Sequence, residues 1–253
     1  MIFWRGSTAV FRCGAKGHMG RMPRRRLGAG VLHVVNRAIN RQWIFESDKA
    51  KDVFLGLLAS QTSNCQVSIH HWAIMSNHYH LAVEFLRPED ISEYFGRVQS
   101  LYSRHHHAEH GGVGTIWQGR FKSVAVQKED YLNQLGRCIE LNPVRAGIVG
   151  RAWDYRWSSA RAYVPGEEGQ LVNPSSHPYW ERWGDTDLRR RRIHKEYLLD
   201  RIEADAQVEI FRRPSLVVGD DEFRSNLRLR HGRLLARKPG KRRSKANNIT
   251  LNN

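Results

Sequence analysis

The chain has 253 residues, 40% of them hydrophobic, and carries 41 Lys and Arg against 25 Asp and Glu, a formal net charge of +16. That is enough apolar material to bury one domain with appendages, and a positive field of this size selects polyanions, nucleic acid foremost. No apolar run reaches the roughly 18 residues of a membrane span, and the basic runs hold too few large apolar residues for a membrane-surface helix.

Residues 1–21 mix Gly, Arg and single aromatics without period and lack the apolar core of a signal peptide. They are expected to be disordered, or to stem from a start codon upstream of the true one, with Met22 opening the domain proper. Arg24, Arg25 and Arg26 then form a short basic arm suited to phosphates. Val31 to Asn36, rich in β-branched residues, predicts a first strand. Ser47 and Asp48 can cap a helix running to about Ser60, with Val53, Phe54, Leu57 and Leu58 as its apolar stripe.

Two strands follow, Val67 to Ile74 and His78 to Phe85, joined by Met75-Ser76-Asn77. Alternation puts Tyr79, Leu81, Val83 and Phe85 on one apolar face and His78 and His80 together on the other. Two imidazoles about 7 Å apart along a strand can converge on a metal ion; a pair of half-exposed strand histidines is the plainer alternative. Pro88-Glu89-Asp90 starts a second helix, with Ile91, Phe95, Val98, Leu101 and Tyr102 at helical spacing. It is expected to run out into a Gly-rich polar loop holding His105, His106, His107 and His110, a source of part-time positive charge near a nucleic acid.

Trp117-Gln118-Gly119-Arg120-Phe121-Lys122 interleaves aromatic and basic residues ahead of a strand from Ser123 to Gln127. Such a segment can stack on unpaired bases while Arg120 and Lys122 hold phosphates, or the tryptophan can pack in the core. Glu129-Asp130 opens a third helix, acidic where the macrodipole favours it, with Leu132, Leu135 and Ile139 buried; Pro143 disturbs or ends it. Strand, helix, strand, strand, helix is most of a split βαβ arrangement and predicts an α+β fold, a ferredoxin-like antiparallel sheet with helices on one face.

Beyond it, Trp153 to Tyr163 is expected to pack back on the sheet, with Arg156 and Arg161 turned to DNA. Residues 165–186 read as a linker and 187–253 as a basic helical extension with a disordered tail, so the domain proper spans 22–164. A helix is predicted from Asp187 to Glu203, and Arg224 to Lys245 holds ten Lys or Arg and no acid, with Arg237, Lys241, Arg242 and Arg243 as phosphate-clamping candidates. The three cysteines, odd in number and without metal-ligand spacing, fit a reduced cytoplasmic protein, and a DNA partner would place it at the nucleoid.

The stretches MSNHYHLAVEF, WQGRFKS, YLNQLGRCIELNPVRAGIV and WDYRWSSARAY, in that order, resemble the REP-associated tyrosine transposases, a branch of the HUH single-tyrosine transposases of insertion sequences. The resemblance covers Met22 to Tyr163 and extends weakly to Val218–Phe223. It implies DNA as the partner, single-stranded or hairpin, and metal-dependent strand cleavage and transfer through a 5′-phosphotyrosine. It further implies that His78 and His80 hold a divalent cation, Mg or Mn, with Asn142 at the third ligand position and Arg145 among the DNA contacts.

At the attacking tyrosine's position the chain has Cys138, between Arg137 and Ile139. Three readings compete: loss of cleavage, leaving a catalytically retired DNA-binding protein; substitution by Tyr131; or Cys138 itself as a thiolate nucleophile. Tyr131 lies seven residues upstream, about 10 Å along the helix axis, against the roughly 3–3.5 Å that attack demands.

Overall fold

The computed structural model describes residues 29–62, 64–127, 130–167, 177, 179–200 and 217–231. The N-terminal basic arm, residues 168–176 and 178 of the anticipated linker, and the basic tail from residue 232 onward lie outside them. The strands are β1 (Gly30–Arg37), β2 (Val67–Ile74), β3 (His78–Phe85), β4 (Lys122–Val126) and the two-residue β5 (Val217–Val218). The helices are α1 (Asp48–Thr62), α2 (Pro88–His110), α3 (Asp130–Glu140), the single turn α4 (Asn142–Arg145), α5 (Asp187–Leu199) and α6 (Asp221–His231).

The sheet order is β2-β3-β1-β4-β5. The first four strands pair antiparallel throughout, and β5 adds parallel to β4. This is the split βαβ arrangement predicted from element order, an α+β fold with α1 and α2 on one face. On that face Tyr79, Leu81, Val83 and Phe85 of β3 join Leu32 and Val34 of β1 beneath Phe54, Leu58, Tyr94, Phe95 and Tyr102. Each large side chain buried there contributes roughly 1.5–3 kcal/mol. Ser47 starts α1 as anticipated, its Oγ accepting from the Ala50 N–H at 3.1 Å.

The opposite face is thinner. Val31, Ala73, Ala82 and Val126 receive Leu132, Leu135, Cys138 and Ile139 of α3, so α3 lies across from the two long helices. A register shift in β2 between Ile69 and His71 turns two successive histidines inward. Residues 153–163 do pack back on the sheet: Ile74 N–H donates to Trp157 O at 2.9 Å, and the Tyr155 and Tyr163 hydroxyls donate to Ile74 O and His70 O, each at 2.7 Å.

One expectation is overturned. His105, His106, His107 and His110 are not in a loop, because α2 continues through all four and stops at Gly111, whose φ of 72° suits glycine. Histidine's modest helix propensity did not outweigh the packing of Tyr102 and the turns before it. The third predicted helix ends at Glu140, three residues ahead of Pro143, and the Asp187 helix ends at Leu199 rather than Glu203.

Candidate nucleic-acid and metal site

Antiparallel pairing sets a line of side chains across one face. Ala73 of β2 opposes His80, His80 opposes Val35 of β1, and Val35 opposes Lys122 of β4. Directly opposed residues share a face, so His80, the exposed Lys122 and the α3-covered Ala73 all look the same way. His78 lies on that face too, opposite Arg37. The two motif imidazoles stand edge to face with ring centroids 5.1 Å apart.

Each ring is oriented by a neighbour. The Asn77 side-chain amide donates to Arg41 O at 3.2 Å, which leaves its Oδ1 to accept from His78 Nδ1 at 2.7 Å. His78 therefore keeps a lone pair on Nε2. His80 Nδ1 lies 3.1 Å from Nε2 of His33, a β1 histidine on the same face. With His80 Nδ1–H donating, Nε2 of His80 is likewise left with its lone pair. Burial holds His33 and His78 down at about 4, with Arg37 adding to the effect on His78. His80 is pushed well below 6.5 by burial and then by the other two imidazoles. Neutral imidazoles are the ligand form, so the pair fits a divalent cation as two nitrogen donors. Among the described residues no third His, Cys, Asp or Glu completes a cluster.

Cys138 is 8% exposed and packs with Ala73 and Ala82, the cross-strand partner of His80 and the residue two along from it. The chain thus brings Cys138 to the histidine face. Its carbonyl ends α3, taking hydrogen bonds from Asn142 Nδ2 at 3.1 Å and Arg145 Nη1 at 2.9 Å; the same guanidinium nitrogen is 3.8 Å from Sγ. Asn142 Nδ2 also donates to Ile139 O. Asn142 and Arg145 thereby close the C-terminal end of α3, where carbonyls lack intrahelical partners. Tyr131 packs at the other end of the helix against the same apolar cluster.

Behind Cys138 lies a network that pattern reading missed. The Glu140 carboxylate is fully buried and accepts from His71 Nδ1 at 2.8 Å, Ser159 Oγ at 2.7 Å and His194 Nε2 of α5 at 2.7 Å. Burial alone would raise its pKa, but the two imidazoles and their hydrogen bonds outweigh that and hold it well below the carboxylate range. Arg137 donates to Asp200 O and lies over the Tyr197 ring at 4.7 Å. A Cβ on Gly136 would come within 2.5 Å of the His71 ring, so α3 can approach β2 only because residue 136 has no side chain. Residues 136, 137 and 140 all fix the helix that carries Cys138.

The remaining candidates separate. Trp117 does not stack outward: it is buried, donates Nε1–H to Ser103 Oγ at 3.0 Å, and packs near Phe45, Phe54 and Tyr79. Arg120 and Lys122 are exposed. Arg156 pairs with Asp52 at 3.0 Å and Arg161 with Glu167 at 2.6 Å, so neither is a free cation aimed at DNA. Arg24, Arg25, Arg26, Arg237, Lys241, Arg242 and Arg243 lie outside the described residues.

Residues 29–142 match the family model described as "Transposase IS200 like". Among solved structures, one described as "Structure of the REP associates tyrosine transposase bound to a REP hairpin" is 18% identical, aligned over 61% of this chain and 94% of its own, with a TM-score of 0.49. That likeness is too distant to carry a residue's role across. No curated protein matches the chain. The match to the family model thus spans β1 to the start of α4, the segment that holds both motif histidines and Cys138.

Proposed function

We propose that the chain binds single-stranded or hairpin DNA of the kind handled by HUH transposases, with His78 and His80 holding Mg or Mn against a phosphate, on a scaffold that has lost strand cleavage. The observation that carries this is one face of the sheet: two neutral, oriented imidazoles under α3, with a buried thiol where the attacking tyrosine is expected. A bound cation would supply charge neutralisation at a phosphoryl oxygen. Everything else falls to the chain's own groups.

Asn77 and His33 fix the ring orientations that leave Nε2 of each motif histidine as the lone-pair nitrogen. Lys122 on the His80 line, with Arg120 beside it, is placed for phosphate contacts that add affinity without reading sequence. The excess of 16 positive charges over the whole chain supports a polyanionic ligand. Cleavage needs a nucleophile within about 3–3.5 Å of phosphorus. The Cys138 thiol is shorter than a tyrosine side chain by several ångströms and is packed against Ala73 and Ala82, which favours loss over a thiolate mechanism. In this reading the protein acts at the nucleoid as a binder of repeated palindromes.

The test uses labelled hairpins with single-stranded flanks, taken from the DNA around the gene, incubated with Mg or Mn. Wild type is expected to bind with an affinity that falls steeply with salt and to leave the strand intact. Cys138→Tyr is expected to cut, and Cys138→Tyr combined with His78→Ala to be silent. Cutting by wild type that disappears in His78→Ala would overturn the loss of cleavage and restore the transposase reaction. Failure to bind any such hairpin would overturn the DNA reading itself.

A further inference from the structure

The helical course of α2 changes what its histidines can do. In a loop, His106 and His110 have no fixed relation. On a helix they are four residues apart, hence one above the other on a single face. Their rings stack with centroids 4.4 Å apart and planes at 24°. His110 Nδ1 lies 3.0 Å from His106 O and, as an N–H, donates to it, so the outer nitrogen of His110, Nε2, keeps its lone pair.

We propose that His106 and His110 form a surface binding site for a borderline divalent transition metal, Zn²⁺, Ni²⁺ or Cu²⁺, separate from the His78–His80 face. Nitrogens sharing one tetrahedral ion at about 2.0–2.1 Å lie roughly 3.3 Å apart; side chains four residues apart on one helix face can reach that spacing once the His106 ring turns out of the stack so that the in-plane lone pairs converge. Partial burial beside Tyr102, and then His110, His107 and His105 themselves, keep His106 below 6.5 and so neutral at neutral pH. Nearby groups are otherwise engaged: His105 pairs with Glu109 at 3.3 Å, Glu109 also with Lys49, and His107 Nε2 lies 2.9 Å from Gly114 O. The ion would therefore have two protein ligands, with its other positions open to water. With imidazoles as its protein ligands and no DNA phosphate beside it to supply oxygens, the pair follows the order that favours Cu, Ni and Zn. A clip between residues 106 and 110 would also close the last turn of α2.

The experiment is calorimetric titration of the full chain with Zn²⁺ and, separately, Ni²⁺, in chelator-free buffer with excess Mg²⁺. The proteins are wild type, His106→Asn, His110→Asn, His105→Asn and the double variant His78→Ala/His80→Ala, each checked for unchanged far-ultraviolet circular dichroism. Wild type should show a binding event that weakens at least tenfold in His106→Asn and in His110→Asn. It should persist in His105→Asn and in the His78/His80 double variant, and bound Zn²⁺ should raise the wild-type melting temperature more than that of His110→Asn. Titrations unchanged in both His106→Asn and His110→Asn would overturn the site.

Discussion

The two faces of the sheet use the same strands for different ends. One is packed with aromatic and aliphatic side chains beneath α1 and α2; the other carries imidazoles and a buried carboxylate beneath α3 and α5. On the first face stability comes from area removed from water, and any apolar neighbour of suitable shape will serve. On the second it depends on each polar atom meeting a particular partner, because an orphaned group there costs its full desolvation. A face of the second kind is a poor way to gain stability and a good way to fix positions.

Cutting into each face should expose that difference. Phe54→Ala removes a fully buried ring from the aromatic cluster and should cost about 3–5 kcal/mol, read as a lower denaturation midpoint with an unchanged slope. If it costs under 1 kcal/mol, the first face is not the main source of stability. Glu140→Gln keeps the shape but takes the charge from three donors, and should cost roughly 2–3 kcal/mol. It should also loosen α3, seen as faster amide exchange at residues 137–141, which Phe54→Ala should not show selectively.

Acid should act on the polar face first. His177 is buried, its Nδ1 accepts from Tyr179 N–H at 3.2 Å, and burial followed by His71, His70 and His194 lowers its pKa to about 2. A folded pKa below the unfolded 6.5 means full stability above pH 6.5 and loss as pH falls. Each unit costs about 1.4 kcal/mol, so His177 alone should cost about 2 kcal/mol at pH 5, added to the shares of His33, His71, His78 and His80, which burial lowers too. His177→Asn, which keeps an acceptor but does not titrate, should flatten the limb between pH 6.5 and 5; an unchanged limb would assign acid sensitivity elsewhere. The smallest effect should be Arg156→Ala, an exposed pair with Asp52 worth at most about 1 kcal/mol, checked by thermal melting at low and high salt.

The apolar face was legible in the sequence because its signal is periodicity: Tyr79, Leu81, Val83 and Phe85 alternate, and both hairpin strands have the bounds that alternation predicted. His78 and His80 were legible as the complementary phase of that period. Glu140, His71 and His194 were not, since they lie on three elements far apart in the chain and meet only through tertiary packing. His33 was within reach: it falls in the same strand phase as Val31 and Val35, opposite Leu32 and Val34, and a histidine at a buried strand position asks for a partner. The helical course of the α2 histidines is not legible in the sequence, because Gly111 and Gly112 signal a loop without marking where the helix before it stops.

The grip of α5 on α3 bears on where this protein can be divided. The match to the family model ends at Asn142, and a cut guided by it, or by the end of the aromatic segment at Tyr163, would look natural. Either cut would remove His194, Tyr197 and Asp200, and with them one of the three donors to Glu140 and both contacts that hold Arg137. The helix bearing Cys138 would then carry a buried acid short of a partner and a buried arginine without its counterpart. The smallest unit able to hold its own site in place therefore reaches Asp200, more than fifty residues past the segment that family likeness alone would mark out.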